Sequence, residues 1–375
     1  MNHSRTFVAL VLCVTMQAAT AAEKTSDIMH KVYDAIAYLL PLSVRNADAH
    51  SKWDKELVEE KLKVLTAASG TLVKHADKED AEFRLLARSF DRLVQDIGVS
   101  FRAQWPDYAY YSLMELTDHC VACHSRLPSP SQDLFGQRLM ARMNVDALEP
   151  ESRTLLFIAT RQFDAAFSLF ERQLADPQTD PIEADYRGLW LRYLRVAAST
   201  GGTTDRLVNF LDTYRKRKDL PYYIASRLDH WRAALTGLSG SLQGSPDLGR
   251  ARQIFDNATA LTLAPSNRLR AVEDLVAARI MRTYLQAHPK ASSAERGEIY
   301  YKLAIIALRT SEPEPAVPEL EMLMAASIQS DPHGPFAKDA YAILEEYGYI
   351  HDERLAKQTE SRVLIDMAAL KEQVF

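Results

Sequence analysis

Glycine, cysteine and long apolar runs are all scarce in this chain. Only 13 of its 375 residues are glycine, while apolar residues make up 47%. Alanine, leucine, arginine and glutamate dominate segments whose apolar residues recur every 3.6 positions, and no strand-like alternation persists. The sequence therefore predicts an all-α protein, and its length predicts two or more domains.

An excess of basic residues is also missing. The chain carries 45 lysines and arginines against 50 aspartates and glutamates, which gives a formal net charge of −5. Proteins that bind nucleic acid through its phosphates present a basic surface. The composition therefore argues against a nucleic-acid partner.

The apolar run near the N-terminus is too short to cross a membrane. It spans Phe7 to Met16, follows Arg5 and precedes the small residues of Gln17 to Ala22, an arrangement typical of a secretory signal peptide. A membrane span needs about 20 apolar residues, and no later stretch approaches that length. We therefore expect residues 1–22 to be a cleaved signal peptide, with a mature chain from about Glu23, a periplasmic location and no membrane span.

The few cysteines are informative because of where they lie. Cys13 falls inside the expected signal peptide, and the other two lie in the sequence Cys120-Val-Ala-Cys123-His124. C-x-x-C-H anchors a c-type haem through two thioether bonds. Residues three and four apart share one face of a helix, so both thiols and the imidazole can point at one porphyrin edge. The motif predicts one covalent haem c on Cys120 and Cys123, with His124 as the proximal iron ligand.

Three other roles are open to the same residues. A structural zinc site needs four ligands, but no second Cys or His pair has a similar spacing, and the other histidines show no metal-ligand pattern. A redox dithiol normally follows the first strand of a βαβ unit, and nothing near residue 120 is typical of a strand. A structural disulfide is the third alternative. We prefer the haem to all three.

The residues before and through the motif predict four amphipathic helices. We expect them at about residues 26–44, 53–75, 79–103 and 107–126. Short turns join them, and proline ends the last two. Four such helices make an antiparallel bundle, so we assign residues 23–132 to a four-helix-bundle domain with the motif near the end of its last helix.

A four-helix bundle with C-x-x-C-H near the end of its last helix resembles the cytochrome c-prime superfamily. In that superfamily the other face of the iron meets a residue of the first helix, either a methionine or an apolar residue that leaves the iron five-coordinate. The resemblance makes Met29 the candidate distal ligand, with a core methionine as the alternative. His30 lies on a different helix face and is expected to be exposed.

Other residues near the motif also have expected roles. Arg126 lies two residues after His124. The resemblance implies that it pairs with a haem propionate, and the alternative is that it has no such role. His119, directly before the first haem cysteine, is expected to face solvent. Four aromatic residues either line the haem pocket or belong to ordinary core: Trp105, Tyr108, Tyr110 and Tyr111.

A second helical domain is expected after a connecting segment at residues 133–148. Within residues 149–375, the helix pair at 153–160 and 163–175 resembles a tetratricopeptide unit, with Ala165 where paired helices approach closely. The match is partial, because the glycine of the first helix is absent. Further helices are expected at residues 182–199, 204–215, 222–238, 294–309, 315–328 and 336–347, with a Gly/Ser-rich loop at 237–245.

Two groups of residues in this second domain have simple expected roles. The basic run Arg215 to Lys218 is expected to be a solvated turn, with steering of an acidic redox partner as the alternative. An aromatic-rich region is expected to be helix-packing core: Tyr186, Trp190, Tyr193, Tyr214, Tyr222, Tyr223 and Trp231.

These features predict an exported monohaem c-type cytochrome that transfers electrons. Helical repeats make concave surfaces that bind proteins, so we expect the second domain to dock a redox partner, or a respiratory or assembly complex, rather than to be purely structural. The alternatives are a gas-binding or stress-protective haem protein with an open distal site, and an assembly factor with a structural haem. No catalytic residue is assigned, because a peroxidase needs a distal acid/base group and only His30 lies nearby.

Overall fold

The computed structural model describes residues 24–43, 53–76, 81–124, 140, 145–200, 204–242, 244–260, 268–310, 317–355 and 367–375. All regular structure in these ranges is helical, with sixteen α-helices and three short 3-10 turns. The prediction of an all-α protein is confirmed for them. None of these helices is long and apolar enough to cross a membrane. The expected signal peptide, Arg126 and most of the connecting segment lie outside the described residues.

The first four helices match the prediction closely. They are α1 (Thr25–Ser43), α2 (Lys55–Ala76), α3 (Ala81–Arg102) and α4 (Pro106–His124). Each packs against the next, and α1 also packs against α4. Where the ends are described, they lie within two residues of the expected bounds. The faces turned towards each other are apolar and buried, including Ile28, Leu39, Leu65, Val94, Ile97, Leu113 and Leu116.

Hydrogen bonds between these helices show which ends lie together. Thr25 Oγ1 at the start of α1 lies 2.7 Å from His75 Nε2 at the end of α2. Ser89 Oγ in the first half of α3 lies 2.9 Å from His119 Nε2 near the end of α4. The end of α2 and the start of α3 are close in sequence. The start of α1 and the end of α4 therefore lie at the same end of the group.

The rest of the chain contributes twelve more described helices. They are α5 (Pro150–Ala159), α6 (Phe163–Ala175), α7 (Pro181–Tyr186), α8 (Leu189–Thr200), α9 (Thr204–Tyr214), α10 (Tyr222–Leu238), α11 (Leu248–Ala260), α12 (Ala271–Ala287), α13 (Ser293–Thr310), α14 (Val317–Ser330), α15 (Ala337–Leu355) and α16 (Met367–Val374). Consecutive helices pack as pairs in α5 and α6, α11 and α12, and α13 and α14.

Local sequence signals explain where several of these helices begin. Pro150 and Pro181 occupy first-turn positions, where a missing backbone N–H costs nothing. The Asp180 carboxylate accepts a hydrogen bond from the Ile182 amide at 2.8 Å and caps α7. Before α13, the backbone N–H of Ser292 donates to the Glu295 carboxylate at 2.9 Å, and the Glu295 amide donates to the Ser292 hydroxyl at 3.2 Å. This reciprocal pair is a capping box.

Three expectations about helix positions in this half are wrong. The helix expected at residues 182–199 is two helices, α7 and α8, because Gly188 takes a left-handed backbone conformation with φ 71°. The loop expected at residues 237–245 instead contains the end of α10 and a 3-10 turn at Ser239–Leu242. The helix expected at residues 336–347 is α15, which continues to Leu355. Helices α11, α12 and α16 were not predicted.

The aromatic-rich region divides into core and surface. Trp190, Tyr193, Tyr214 and Trp231 are buried, which confirms the expectation for these four. The other three are exposed, and the expectation is wrong for them: Tyr186, Tyr222 and Tyr223.

The basic run after α9 is only partly a solvated turn. Lys216 and Lys218 are exposed. Arg217 donates to the Asp219 carboxylate at 2.6 Å and to the carbonyl oxygens of Leu174 and Thr179 at 2.8 and 2.9 Å. Arg217 therefore anchors the loop after α6, and the expected solvated role is wrong for this residue.

Buried apolar residues form two clusters that meet at the end of α4. One lies among α1 to α4 and the other among the later helices. Leu156 of α5 is 1% exposed and belongs to the first cluster. In the opposite direction, Leu85 of α3 and Val121 of α4 pack against the second cluster. The C-x-x-C-H motif thus lies where the two halves of the molecule are in contact.

Candidate haem-binding site at the end of α4

The C-x-x-C-H motif occupies the last turn of α4. Cys120, Cys123 and His124 are all half-buried, and the two cysteines are not joined in a disulfide. Because α4 is helical through His124, these three side chains emerge from neighbouring positions on its surface. The expected placement of the motif on a helix is confirmed.

His124 is oriented by a residue of the second half. Its Nδ1 atom hydrogen-bonds to the carbonyl oxygen of Ala159, the last residue of α5. A carbonyl oxygen can only accept, so Nδ1 carries the proton. When the ring is neutral, this tautomer leaves the lone pair that a metal ion needs on Nε2. The ring is therefore set for ligation through Nε2.

His119 is held between α3 and α4 rather than in solvent. It is half-buried, and its Nε2 lies 2.9 Å from the hydroxyl of Ser89. The expectation that it faces solvent is wrong, because α3 runs beside the last turns of α4. The contact helps to fix how α4 is rotated against α3, and hence which way the motif faces.

Met29 and the motif lie at the same end of the first four helices. Met29 is half-buried, and both it and Cys120 pack against the first core cluster. The neighbouring His30 is exposed, as expected. Met29 as the distal iron ligand stays a prediction, supported by its position in the fold.

Of the four aromatic residues before the motif, only Trp105 has a described side chain. Trp105 precedes α4, 50% exposed, at the end away from the motif. The helical rise of about 1.5 Å per residue puts it roughly 20 Å from Cys120. Its exposure makes the interpretation of Trp105 as ordinary core wrong, and its distance from the motif does not favour a place in the haem pocket. The side chains of Tyr108, Tyr110 and Tyr111 lie outside the described part of the chain.

The donor set at the end of α4 fits a c-type haem. Two unbridged thiols can form the thioethers, and His124 carries its proton on the nitrogen that does not bind iron. Across the described ranges, no three or more His, Cys, Asp and Glu side chains are placed to hold a metal ion by themselves. The zinc alternative gains no further ligand from these residues.

No local pattern in the sequence indicates the role of Ala159. Its contribution is a backbone carbonyl, and it lies 35 positions from His124 in the chain.

A search found no match to this chain among protein-family models, curated proteins or solved structures.

Proposed function

We propose that the protein is an exported monohaem c-type cytochrome that transfers electrons, with a helical repeat domain that docks a protein partner. The observation that carries the proposal is the C-x-x-C-H motif on α4, with its two unbridged thiols and with His124 held through Nδ1. Haem supplies reversible one-electron chemistry when bound. Cys120 and Cys123 hold it, and His124 ligates its iron.

The arrangement of α1 to α4 supports the resemblance to the cytochrome c-prime superfamily. The first helix packs against the fourth, and its start lies beside the end of the fourth. This brings Met29 to the end of the four helices at which the C-x-x-C-H motif lies. Methionine ligation favours electron transfer over gas binding, because it occupies the position that a gas would take.

The pair α13 and α14 supports a tetratricopeptide-like architecture for the second half. Gly297-Glu-Ile-Tyr300 matches the G-x-x-Y part of that repeat pattern. A Cβ atom on Gly297 would lie 2.9 Å from Cβ of Asp331, so the two helices approach too closely for a larger residue. The buried hydroxyl of Ser327 donates to the Gly297 carbonyl at 2.7 Å.

An exposed aromatic surface supports the docking of a protein partner. Ile182 and Tyr186 on α7 and Tyr222 and Tyr223 on α10 are all more than half exposed, Tyr222 by 88%. An ion pair between Asp185 of α7 and Arg227 of α10 holds the two helices together. Exposed apolar and aromatic side chains are typical of interaction surfaces, where tyrosine is enriched.

The test is haem attachment followed by spectroscopy. The full chain is produced in a bacterial host that attaches haem c in its periplasm, as wild type, as Cys120→Ala/Cys123→Ala and as Met29→Ala. We expect one covalent haem by mass in the wild type and none in the double variant. Haem-free wild type, under conditions in which a control cytochrome matures normally, would contradict the proposal.

The distal ligand is tested on the same samples. We expect a low-spin oxidised spectrum with a sulfur-to-iron charge-transfer band that Met29→Ala abolishes, and nitric oxide binding that is slow until Met29 is removed. A high-spin spectrum that Met29→Ala leaves unchanged, together with ready binding of nitric oxide, would replace electron transfer with the gas-binding alternative.

A further inference from the structure

We infer that the C-terminal end of α5, in the second half of the molecule, tunes the haem iron by holding His124. Ala159 acts as a positioning residue through its backbone carbonyl, and its hydrogen bond to Nδ1 lowers the reduction potential of the haem. The inference rests on the proposed function, because it concerns the proximal ligand of a bound haem.

The backbone at the end of α5 explains why this carbonyl is available. The last four carbonyls of a helix have no partner within it. The amide of Arg161 donates to the carbonyl of Ile158 at 3.0 Å, and that of Gln162 donates to the carbonyl of Phe157 at 2.7 Å. These two bonds form a Schellman motif, which requires the left-handed conformation of Arg161, φ 58°. The motif leaves out the carbonyl of Ala159, and the imidazole of the haem motif donates to it.

The same helix end carries partial negative charge, which strengthens the effect. The dipoles of the peptide groups add along a helix and leave about half a negative charge at its C-terminus. A hydrogen bond from the distal nitrogen of a ligating imidazole raises the basicity of the nitrogen that binds the metal. A more basic ligand stabilises ferric over ferrous iron, so the Ala159 carbonyl lowers the reduction potential.

The position of the carbonyl is fixed by buried contacts. The Thr160 hydroxyl donates to the carbonyl of Leu156 at 2.8 Å, and both residues are buried. Leu156 lies in the core of the first half. The end of α5 is therefore packed against the four-helix group, and its carbonyl is held beside His124. The redox behaviour of the first half depends on a group supplied by the second.

The test alters the helix end without touching the haem ligands. In Arg161→Val, a β-branched residue disfavours the left-handed conformation and so displaces the cap. Arg161→Gly is the matched control, because it removes the same side chain but keeps the conformation. At a solution potential fixed at the wild-type midpoint, we expect Arg161→Val to raise the ratio of ferrous to ferric haem at least threefold. Arg161→Gly should leave it unchanged.

Two results would overturn the inference while leaving the haem in place. One is a ratio unchanged in Arg161→Val, and the other is an equal change in both variants, which would trace the effect to the arginine side chain. Absence of covalent haem from the wild type is a different failure, that of the proposed function.

A second measurement does not need haem, and it still tests the inference if Arg161→Val folds poorly. Histidine-selective ¹⁵N NMR of the full-length Cys120→Ala/Cys123→Ala protein should show His124 with its proton on Nδ1. In the same background, Arg161→Val should shift the population towards the Nε2-protonated form. A predominantly Nε2-protonated His124 in the parent would overturn the inference.

Discussion

At the scale of single residues, Glu171 links Arg206 to Tyr193 in the aromatic core of the second half. Its carboxylate accepts a hydrogen bond from the Tyr193 hydroxyl at 2.6 Å and two from Arg206 at 2.6 and 2.8 Å. Burial raises the pKa of Glu171, but the hydrogen bonds from Arg206 and Tyr193 and the charge of Arg206 outweigh it, so the pKa lies below its usual range. The carboxylate is therefore ionised at neutral pH.

We expect Glu171→Gln to lower the free energy of unfolding by about 1–2 kcal/mol at pH 7, because a charge-assisted pair is lost from a half-buried place. The pKa of Glu171 is lower in the folded than in the unfolded chain, where it is about 4.3. Its contribution is thus complete above that value and disappears as the pH falls through the folded pKa. Urea unfolding of wild type and variant at neutral and acidic pH measures both effects.

The control for this prediction is Glu345→Gln, at an exposed position on α15. It should change the free energy of unfolding by less than about 0.5 kcal/mol at either pH. A difference between wild type and Glu171→Gln that is the same at both pH values would show that shape, rather than charge, stabilises the site.

The residues of the candidate site were predictable only where their chemistry requires short spacing. Cys120, Cys123 and His124 must lie within one helical turn to attach one haem, so five letters identify them. The partners that orient the site lie 30 positions away, for His119 and Ser89, and 35 positions away, for His124 and Ala159. Such contacts depend on how helices pack, and no local pattern records them.

At the scale of helices, two C-terminal ends share a motif that usually uses glycine. Like α5, α3 ends in a Schellman motif: the Gln104 amide donates to the Phe101 carbonyl at 3.2 Å and the Trp105 amide donates to the Ser100 carbonyl at 3.0 Å. Gln104 is exposed and has φ 60°. A side chain in this left-handed conformation is strained by the contact between its Cβ and the backbone.

We expect Gln104→Gly to raise the free energy of unfolding by about 0.5–1 kcal/mol. Glycine removes the strain, and this gain exceeds the cost of its greater freedom in the unfolded chain. Gln104→Val is the opposite control and should destabilise the protein, because a β-branched residue fits this conformation worst. Thermal and urea unfolding of the three proteins measure the order, and Val more stable than Gly would contradict the assignment of the cap.

The contact between α13 and α14 depends on the absence of a side chain. The Cβ of an alanine at Gly297 would meet Asp331 Cβ at 2.9 Å and the Ser327 carbonyl at 3.4 Å, while one at Gly237 meets nothing within 4 Å. We expect Gly297→Ala to destabilise the protein by about 1–3 kcal/mol. Gly237→Ala should be neutral or stabilise by up to about 1 kcal/mol, because it only improves helix propensity. Equal effects in urea unfolding would mean that the two helices are not closely packed.

Helices with one apolar face were predictable, whereas α12, whose first half is almost completely buried, was not predicted. The bounds of α2, α3, α6 and α10 follow from apolar periodicity together with proline or polar residues at their ends. In α12, nearly all residues from Ala271 to Met281 are buried, including Glu273 and Asp274. His230 Nε2 lies 2.7 Å from the Glu273 carboxylate, and Arg309 pairs with Asp274. The charged residues in this part of α12 pair with residues of neighbouring helices and do not form a polar face. Apolar periodicity therefore does not reveal the helix.

At the scale of the whole molecule, the two cores are connected through side chains that cross between them. Leu156 of α5 belongs to the core of the first half, while Leu85 and Val121 pack against the core of the second. The bond between His124 and Ala159 lies at the same junction. Apolar contacts of this kind resist the independent movement that separate domains usually show. We therefore expect the halves to unfold as one cooperative unit.

Two leucine substitutions test this coupling. Leu156→Ala removes a junction residue that is 1% exposed, and Leu207→Ala removes a residue that is 2% exposed within the second core. Each should cost about 2–4 kcal/mol, because each leaves a buried cavity. Two probes follow urea unfolding: the absorbance of the haem that we propose for the first half, and far-UV circular dichroism over the whole chain. If the halves unfold together, each substitution shifts the transition by the same amount with either probe. If Leu207→Ala leaves the haem transition at its wild-type midpoint, the halves unfold independently and the junction does not couple them.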